Sequence, residues 1–293
     1  MNVISKVNEM KFFVLEQKKL GKTIGFVPTM GYLHEGHMSL VERSVLENDV
    51  TILSIFVNPT QFGQNEDLDK YPRDFENDCL KAEKIGASVV FAPTALGMYP
   101  ENYSTFVDVV DLSKGLCGAV REGHFKGVTT IVNKLFNICS PDKAYFGQKD
   151  FQQAQVIKRM VIDLNINLKI VVCPIVREKD GLAMSSRNVF LSKEERAQAT
   201  VLSKALSLAQ KCVEMGERNT DDLLKTITEI ISKQSLAKIQ YVEIVDVDML
   251  KEVDKIDTRA LLALAVKFGN TRLIDNAVLE AKNVNNNDEI KNS

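Results

Sequence analysis

The chain has 293 residues, enough for one large domain or two ordinary ones with a core that needs no covalent staple. Apolar residues at 45% and charged residues at 26% exclude wholesale disorder, and 37 Lys plus Arg against 39 Asp plus Glu leave a formal charge of −2, no electrostatic footprint for nucleic acid or an anionic membrane. Five cysteines without a C-x-x-C pair support neither a zinc ribbon nor a disulfide framework, and the N-terminal stretch lacks an apolar run ending in a small-residue cleavage site, so a soluble protein of the cytoplasm is expected.

Short β-branched runs alternate with helix-period segments over the first 175 or so residues. The expected strands are Thr23–Pro28, Val50–Val57, Ser88–Ala92, Ala144–Phe146 and Leu168–Cys173. Between the third and fourth, Phe125–Cys139 puts Val128, Ile131, Val132, Leu135, Phe136 and Cys139 on one helical face. Such alternation predicts an α/β fold: a Rossmann-like parallel sheet, covered on both faces, over residues 1–176. Ligands of these sheets collect beyond the carboxyl ends of the strands. Further along, Ser192 reads as the cap of a long helix to about Glu214, followed by a helix over Asp221–Ser232 and strands at Ile239–Val245, Ala260–Val266 and Arg272–Asn276. That is a smaller α+β domain, expected over 177–283 as a lid, before a polar tail at 284–293.

Four segments could carry chemistry. The first strand runs into Pro28–Thr29–Met30–Gly31–Tyr32–Leu33–His34–Glu35–Gly36–His37, a turn into a helix start, where backbone N–H groups point at an anion. His34 and His37 share one helical face, and Gly36 between them lets a flat group approach the backbone. The bland alternative is a tight turn with two surface histidines. Together with His124 they could instead form a three-histidine zinc site, although H-E-G-H is one residue short of the metalloprotease pattern.

After the second strand, Asn58 and Gln61 can each donate and accept, which suits hydroxyls and carboxylates. Asp78, in a solvated helix start, could instead help hold magnesium beside substrate phosphates. After the fourth strand, Gly147–Gln148–Lys149–Asp150 makes a glycine turn into a helix bearing Gln153, with Lys149 a point charge for a phosphate or else an ordinary surface lysine. Val176 and then Met184–Ser185–Ser186–Arg187 place two hydroxyls and a guanidinium in sequence, donors for a polyphosphate on what also reads as a linker. No nucleophile elbow, phosphate loop or dinucleotide fingerprint is present.

Taken in order, P-T-M-G-Y-L-H-E-G-H, F-V-N-P-T-Q-F, Y-F-G-Q-K-D and G-L-A-M-S-S-R-N resemble the pantothenate synthetase (pantoate–β-alanine ligase) family, within the H-x-G-H nucleotidyltransferase superfamily. The resemblance runs from about Ile4 to Asn276 and includes R-E-G-H-F at Arg121–Phe125. It implies ATP-dependent condensation of pantoate with β-alanine through a pantoyl adenylate, releasing pyrophosphate and AMP, in a homodimer. It implies further that Met30 to His37, Gly147 to Asp150, Val176 and Met184 to Arg187 hold ATP. His37, His34, Lys149, Ser185, Ser186 and Arg187 would carry the catalysis, with His37 in the proton-donor position, and Gln61, Gln153 and Asn58 would grip the acid and amine substrates. Magnesium is implied with ATP, and Asp78 as its protein ligand. Two other readings share these residues. One is adenylyl transfer to a phosphorylated acceptor, which would more naturally meet Lys or Arg than Gln61 and Gln153; the other is a nucleotide-binding regulator without turnover.

Overall fold

Among residues 1–63 and 68–281, which a computed structural model describes, the β-branched runs of the first half become parallel strands of one sheet. The elements in order are β1 (Asn2–Ile4), α1 (Val7–Lys19), β2 (Ile24–Thr29), α2 (Glu35–Glu47), β3 (Val50–Ile55), α3 (Phe75–Lys84), β4 (Val89–Phe91), α4 (Ala95–Met98), α5 (Cys117–Val120), α6 (His124–Cys139), β5 (Lys143–Gly147), α7 (Phe151–Asp163) and β6 (Lys169–Cys173). Their spatial order is β1-β4-β3-β2-β5-β6. All five expected strands form; the three-residue β1, two of whose residues are exposed, is too short for a periodic signal and was not expected.

Successive strand residues face opposite sides of a sheet, and here both sides are filled. Phe26, Ile52, Phe91 and Phe146 pack with Met10 of α1, the apolar stripe of α6, and Ile157 and Met160 of α7. Their neighbours Val27, Leu53, Val90 and Tyr145 pack on the other side with Leu40 and Val41 of α2 and Ala82 of α3. Each such side chain contributes roughly 1.5–3 kcal/mol on full burial, so the continuous apolar runs are what fix the two-layer cover. α6 begins one residue before its expected start because Gly123, at φ 73°, takes the left-handed conformation that ends the preceding turn.

The chain divides into two compact units, Met1–Val189 and a second beginning at Phe190. Residues 177–189, expected to open the second domain, fold as part of the first. Their backbone closes on itself through Met184 N–H to the Val176 carbonyl (3.0 Å) and Glu178 N–H to the Leu182 carbonyl (2.8 Å), around Gly181 at φ 91°.

The second unit contains α8 (Lys193–Ala199), α9 (Val201–Glu214), α10 (Thr220–Ser232) and an antiparallel sheet β7 (Ala237–Val245), β8 (Arg259–Phe268) and β9 (Thr271–Glu280). Ser192 caps α8 as expected, in a reciprocal box with Glu195. The single long helix expected from there is interrupted at Thr200, whose hydroxyl hydrogen-bonds the Ala197 carbonyl (2.8 Å) in competition with the helical ladder. The expected tail, 284–293, lies outside the described residues. Among the described residues no helix is long and apolar enough to cross a membrane.

Candidate active site

β2 is followed in sequence by its neighbour on one side, β3, while β5 lies on its other side, so the connections leaving β2 and β5 part over the carboxyl ends of the sheet. A cavity opens there. Of the residues expected at the site, Met30, His34, Gly36 and His37 line it from the β2–α2 turn, and Asn58 and Gln61 from the turn after β3. Gly147, Lys149, Asp150 and Gln153 line it after β5, and Val176, Met184, Ser185, Ser186 and Arg187 after β6. The remaining five expected nucleotide residues or neighbours, Gly31, Tyr32, Leu33, Glu35 and Gln148, are not in its wall.

The β2–α2 turn is held by backbone accounting. Gly31 and Tyr32 are both left-handed, at φ 83° and 53°, a conformation a tyrosine adopts only under constraint. The constraint is Asp78 of α3, whose Oδ2 and Oδ1 accept the Tyr32 and Leu33 N–H groups, each at 2.7 Å. Lys81 adds a hydrogen bond to the Leu33 carbonyl (2.7 Å). Asp78 is 1% exposed and outside the cavity wall, so its placement is that of a clamp on this turn, not of the magnesium ligand expected from the sequence.

α2 then opens on two histidines. His34 is its N-cap, and its Nδ1 accepts the Gly36 N–H (3.2 Å); the Nδ1 of His37 faces the His34 N–H at 3.4 Å. The rings stack with centroids 4.0 Å apart. Gly36 is small because a Cβ there would sit 3.0 Å from the His34 ring, so the flat group that approaches its backbone is His34 itself. Burial, and then the charge of Lys149, lowers the His34 pKa to about 4; burial, His34 and Lys149 push His37 well below its ordinary value. Both rings are therefore neutral at pH 7. With each Nδ1 accepting, each Nε2 carries the hydrogen, giving a pair of aligned N–H donors.

At the other end of the cavity, Gln61 is held at both side-chain atoms. Its Oε1 accepts from Asn58 Nδ2 (3.1 Å) and its Nε2 lies 3.2 Å from the Met30 thioether sulfur. Asn58 also donates to the Gly127 carbonyl (3.1 Å), and its Oδ1 accepts from the Tyr99 hydroxyl (2.7 Å) and the Thr60 hydroxyl (3.0 Å). All four hydrogen-bonding positions of that carboxamide are filled by protein, so Asn58 orients Gln61 and does not offer itself to substrate as the sequence suggested.

Lys149 and Asp150 sit in a short 3-10 turn between β5 and α7, the ammonium 3.9 Å from the carboxylate. One helical step separates two glutamines of opposite duty. Gln153 lines the cavity, while Gln152 is buried, accepting from Cys117 N–H (2.9 Å) and donating to the Leu112 and Gly115 carbonyls (both 2.9 Å). Sequence reasoning missed two further features of the wall. Tyr71, 5% exposed, lies with its hydroxyl 3.4 Å from Ser186 Oγ, and α6 turns Val128 and Ile131 toward the cavity. The periodic stripe of α6 identified a buried face but not that its first turns border a ligand space.

The three histidines do not converge: His124 hydrogen-bonds Gln61 and Arg121, away from the stacked pair. Among the described residues no group of three or more His, Cys, Asp or Glu side chains could hold a metal ion. The donor set thus does not fit the zinc alternative.

A family profile described as Pantoate-beta-alanine ligase matches residues 2–278. The pantothenate synthetase of Acetivibrio thermocellus is 57% identical over 280 residues, covering 96% of this chain and 100% of that protein. Among solved structures, the pantothenate synthetase of Thermus thermophilus superposes with a TM-score of 0.90 at 42% identity, over 94% of this chain and 99% of that one. A pantoate–β-alanine ligase from Francisella tularensis, complexed with β-γ ATP and β-alanine, gives 0.77 at 33% identity, over 95% and 97%.

Proposed function

The chain belongs to the pantoate–β-alanine ligase family, and on that premise we propose how its own residues divide an ATP-dependent ligation between them. A carboxylate oxygen of pantoate attacks the α-phosphorus of ATP, the bond to the β-phosphate oxygen breaks, and pyrophosphate leaves. The amine of β-alanine then attacks the acyl carbon of the pantoyl adenylate; AMP departs with the carbon–oxygen electron pair and the ammonium loses its proton to form the amide. The enzyme's task is to position these groups and to offset charge as it builds on the phosphates.

The observation that carries this reading is the neutral, stacked His34–His37 pair, with Lys149 close enough to depress both rings. Two Nε2–H donors and one ammonium in a single cavity suit a phosphoanhydride better than a proton-transfer reaction. His37 acts as a hydrogen-bond donor to phosphate rather than as an acid, since its proton is the one a neutral imidazole keeps. Met30, His34, Gly36 and His37 with Gly147, Lys149 and Asp150 hold the nucleotide, Val176 and Met184 flank the adenine, and Ser185, Ser186 and Arg187 receive the pyrophosphate end. Gln61 and Gln153 grip pantoate, with Gln61 also beside the incoming β-alanine. Magnesium enters on the phosphates of ATP rather than through Asp78. We further propose that the enzyme works as a homodimer in the cytoplasm.

The amides of Gln61 and Gln153 at the acceptor end weigh against adenylyl transfer to a phosphorylated acceptor. The test is a coupled pyrophosphate-release assay with ATP, magnesium and pantoate, with and without β-alanine. A stoichiometric burst without the amine, turning into steady release with it, is expected; no release in either mixture would rule out the ligase.

A further inference from the structure

Arg121–Phe125, the R-E-G-H-F segment, has no part in the two half-reactions as divided above, yet its geometry is specific. Gly123, left-handed at φ 73°, makes His124 the first residue of α6. The His124 ring is 8% exposed, packed edge-on against Phe125 at 5.0 Å. Its Nε2 lies 2.9 Å from Arg121 Nη1 and its Nδ1 2.9 Å from the backbone carbonyl oxygen of Gln61. A guanidinium can only donate, so Nε2 is the accepting nitrogen; Nδ1 carries the hydrogen and donates it to Gln61. The tautomer is thus the reverse of that in His34 and His37.

One turn further on, a Cβ at Gly127 would lie 2.4 Å from the Thr60 carbonyl oxygen and 2.7 Å from Gln61 Cα. Helix α6 therefore carries the Thr60–Gln61 backbone directly on its first turn, with nothing between them. Gln61 is fixed at three atoms from three directions: its backbone carbonyl by His124, its side-chain oxygen by Asn58, and its side-chain nitrogen against Met30.

We propose that Arg121 and His124 are positioning residues for the acid substrate: Arg121 sets the tautomer of His124, and His124 sets the tilt of the turn that aims Gln61 into the cavity. The inference rests on the ligase reading, because it takes Gln61 to be the side chain that grips pantoate. Neither residue touches the reacting atoms. Their effect is felt through one carbonyl, and so falls on pantoate and not on ATP, whose cradle belongs to the turns after β2, β5 and β6.

The test compares His124→Phe, which keeps the ring and loses the donor, with His124→Asn, whose amide nitrogen can stand where Nδ1–H stood. Loss of a single buried hydrogen bond of this kind is expected to raise the pantoate KM of His124→Phe about tenfold, with the ATP KM within about twofold of wild type. His124→Asn should recover most of that rise, which a merely structural role for the ring would not allow. In a Gln61→Ala background the same His124→Phe change should add less than about twofold, because its route of action is already gone. Arg121→Met, which leaves the packed ring in place, should raise the pantoate KM about threefold or more and serves alone if His124→Phe does not fold. Parallel changes in both KM values, full additivity with Gln61→Ala, or an unchanged pantoate KM in Arg121→Met would overturn the proposal. Wild-type pyrophosphate release with pantoate, run alongside, separates this failure from failure of the ligase reading.

Discussion

His34 and His37 hold one another in place: the rings stack at 4.0 Å with 29° between their planes, and the Nδ1 of each faces a backbone N–H of the first turn of α2. Stacking removes water from both faces that meet, and Lys149 adds a repelling charge, so protonating either ring is costly.

The titration of the pair should therefore be displaced downward. The chain has three histidines, so their Cε1–H signals can be followed individually. His34 is expected to titrate near 4 instead of 6.5, and His37 well below 6.5, with no inflection from either between pH 8 and 5.5. Because the unfolded chain binds more protons than the folded one between about 6.5 and 4, the stability contributed by the neutral pair is complete above that window and is lost as pH falls through it. Thermal melts should decline across the window and decline less steeply in His34→Gln.

Removing a phosphate donor should leave the fold alone. His37→Ala and Lys149→Ala are each expected to lower kcat by about 10²–10³ while the melting curve stays near that of wild type. Near-normal turnover in either variant would remove that residue from the catalytic group.

Asp78 is expected to behave as a clamp. Asp78→Ala leaves the buried Leu33 N–H and the half-buried Tyr32 N–H of a strained turn without acceptors, at roughly 1–3 kcal/mol for the buried one and less for the other, and kcat should fall as the His34–His37 pair loosens. The magnesium concentration for half-maximal activity should not move; a large rise would reinstate Asp78 as a metal ligand.

Adjacent glutamines on α7 should separate stability from binding. Gln152→Ala removes three hydrogen bonds, two of them buried, that tie down the 112–117 segment and should cost about 2–4 kcal/mol in a denaturant melt. Gln153→Ala should melt normally and raise the pantoate KM; the reverse pattern would exchange their assignments.

The sheet was legible in the sequence because its strands are short β-branched runs with few charges, as in Val50–Ile55, buried almost throughout, and in the edge strand Lys169–Cys173. The cavity was legible as far as its walls follow strands, at the turns after β2, β3, β5 and β6, whereas Tyr71 and the first turns of α6 were not. What stayed hidden were matters of partner. A neutral amide such as Asn58 looks the same whether it grips substrate or protein, and a carboxylate such as Asp78 looks the same whether it faces a cation or two N–H groups. Nothing local distinguishes Gln152 from Gln153 except the face of α7 on which each falls. The break at Thr200 depends on a single hydroxyl turning back on its own helix, which periodicity does not register.

The strand order carries a consequence for synthesis of the chain. β2 meets β3 soon after both exist, but its other neighbour arrives late: the Ile24 N–H is taken up by Asp142, 118 positions on. Arg187, at the far rim of the cavity, follows later still. At ribosomal speeds of roughly 5–20 residues per second, on the order of ten to thirty seconds pass between the emergence of β2 and that of Arg187. For most of that interval, until β5 and Lys149 emerge, β2 stands as an open edge and the two histidines that follow it have no lysine opposite them. Nucleotide binding by nascent chains would thus report that β5 has closed onto β2 and that the segment after β6 has joined the cavity wall.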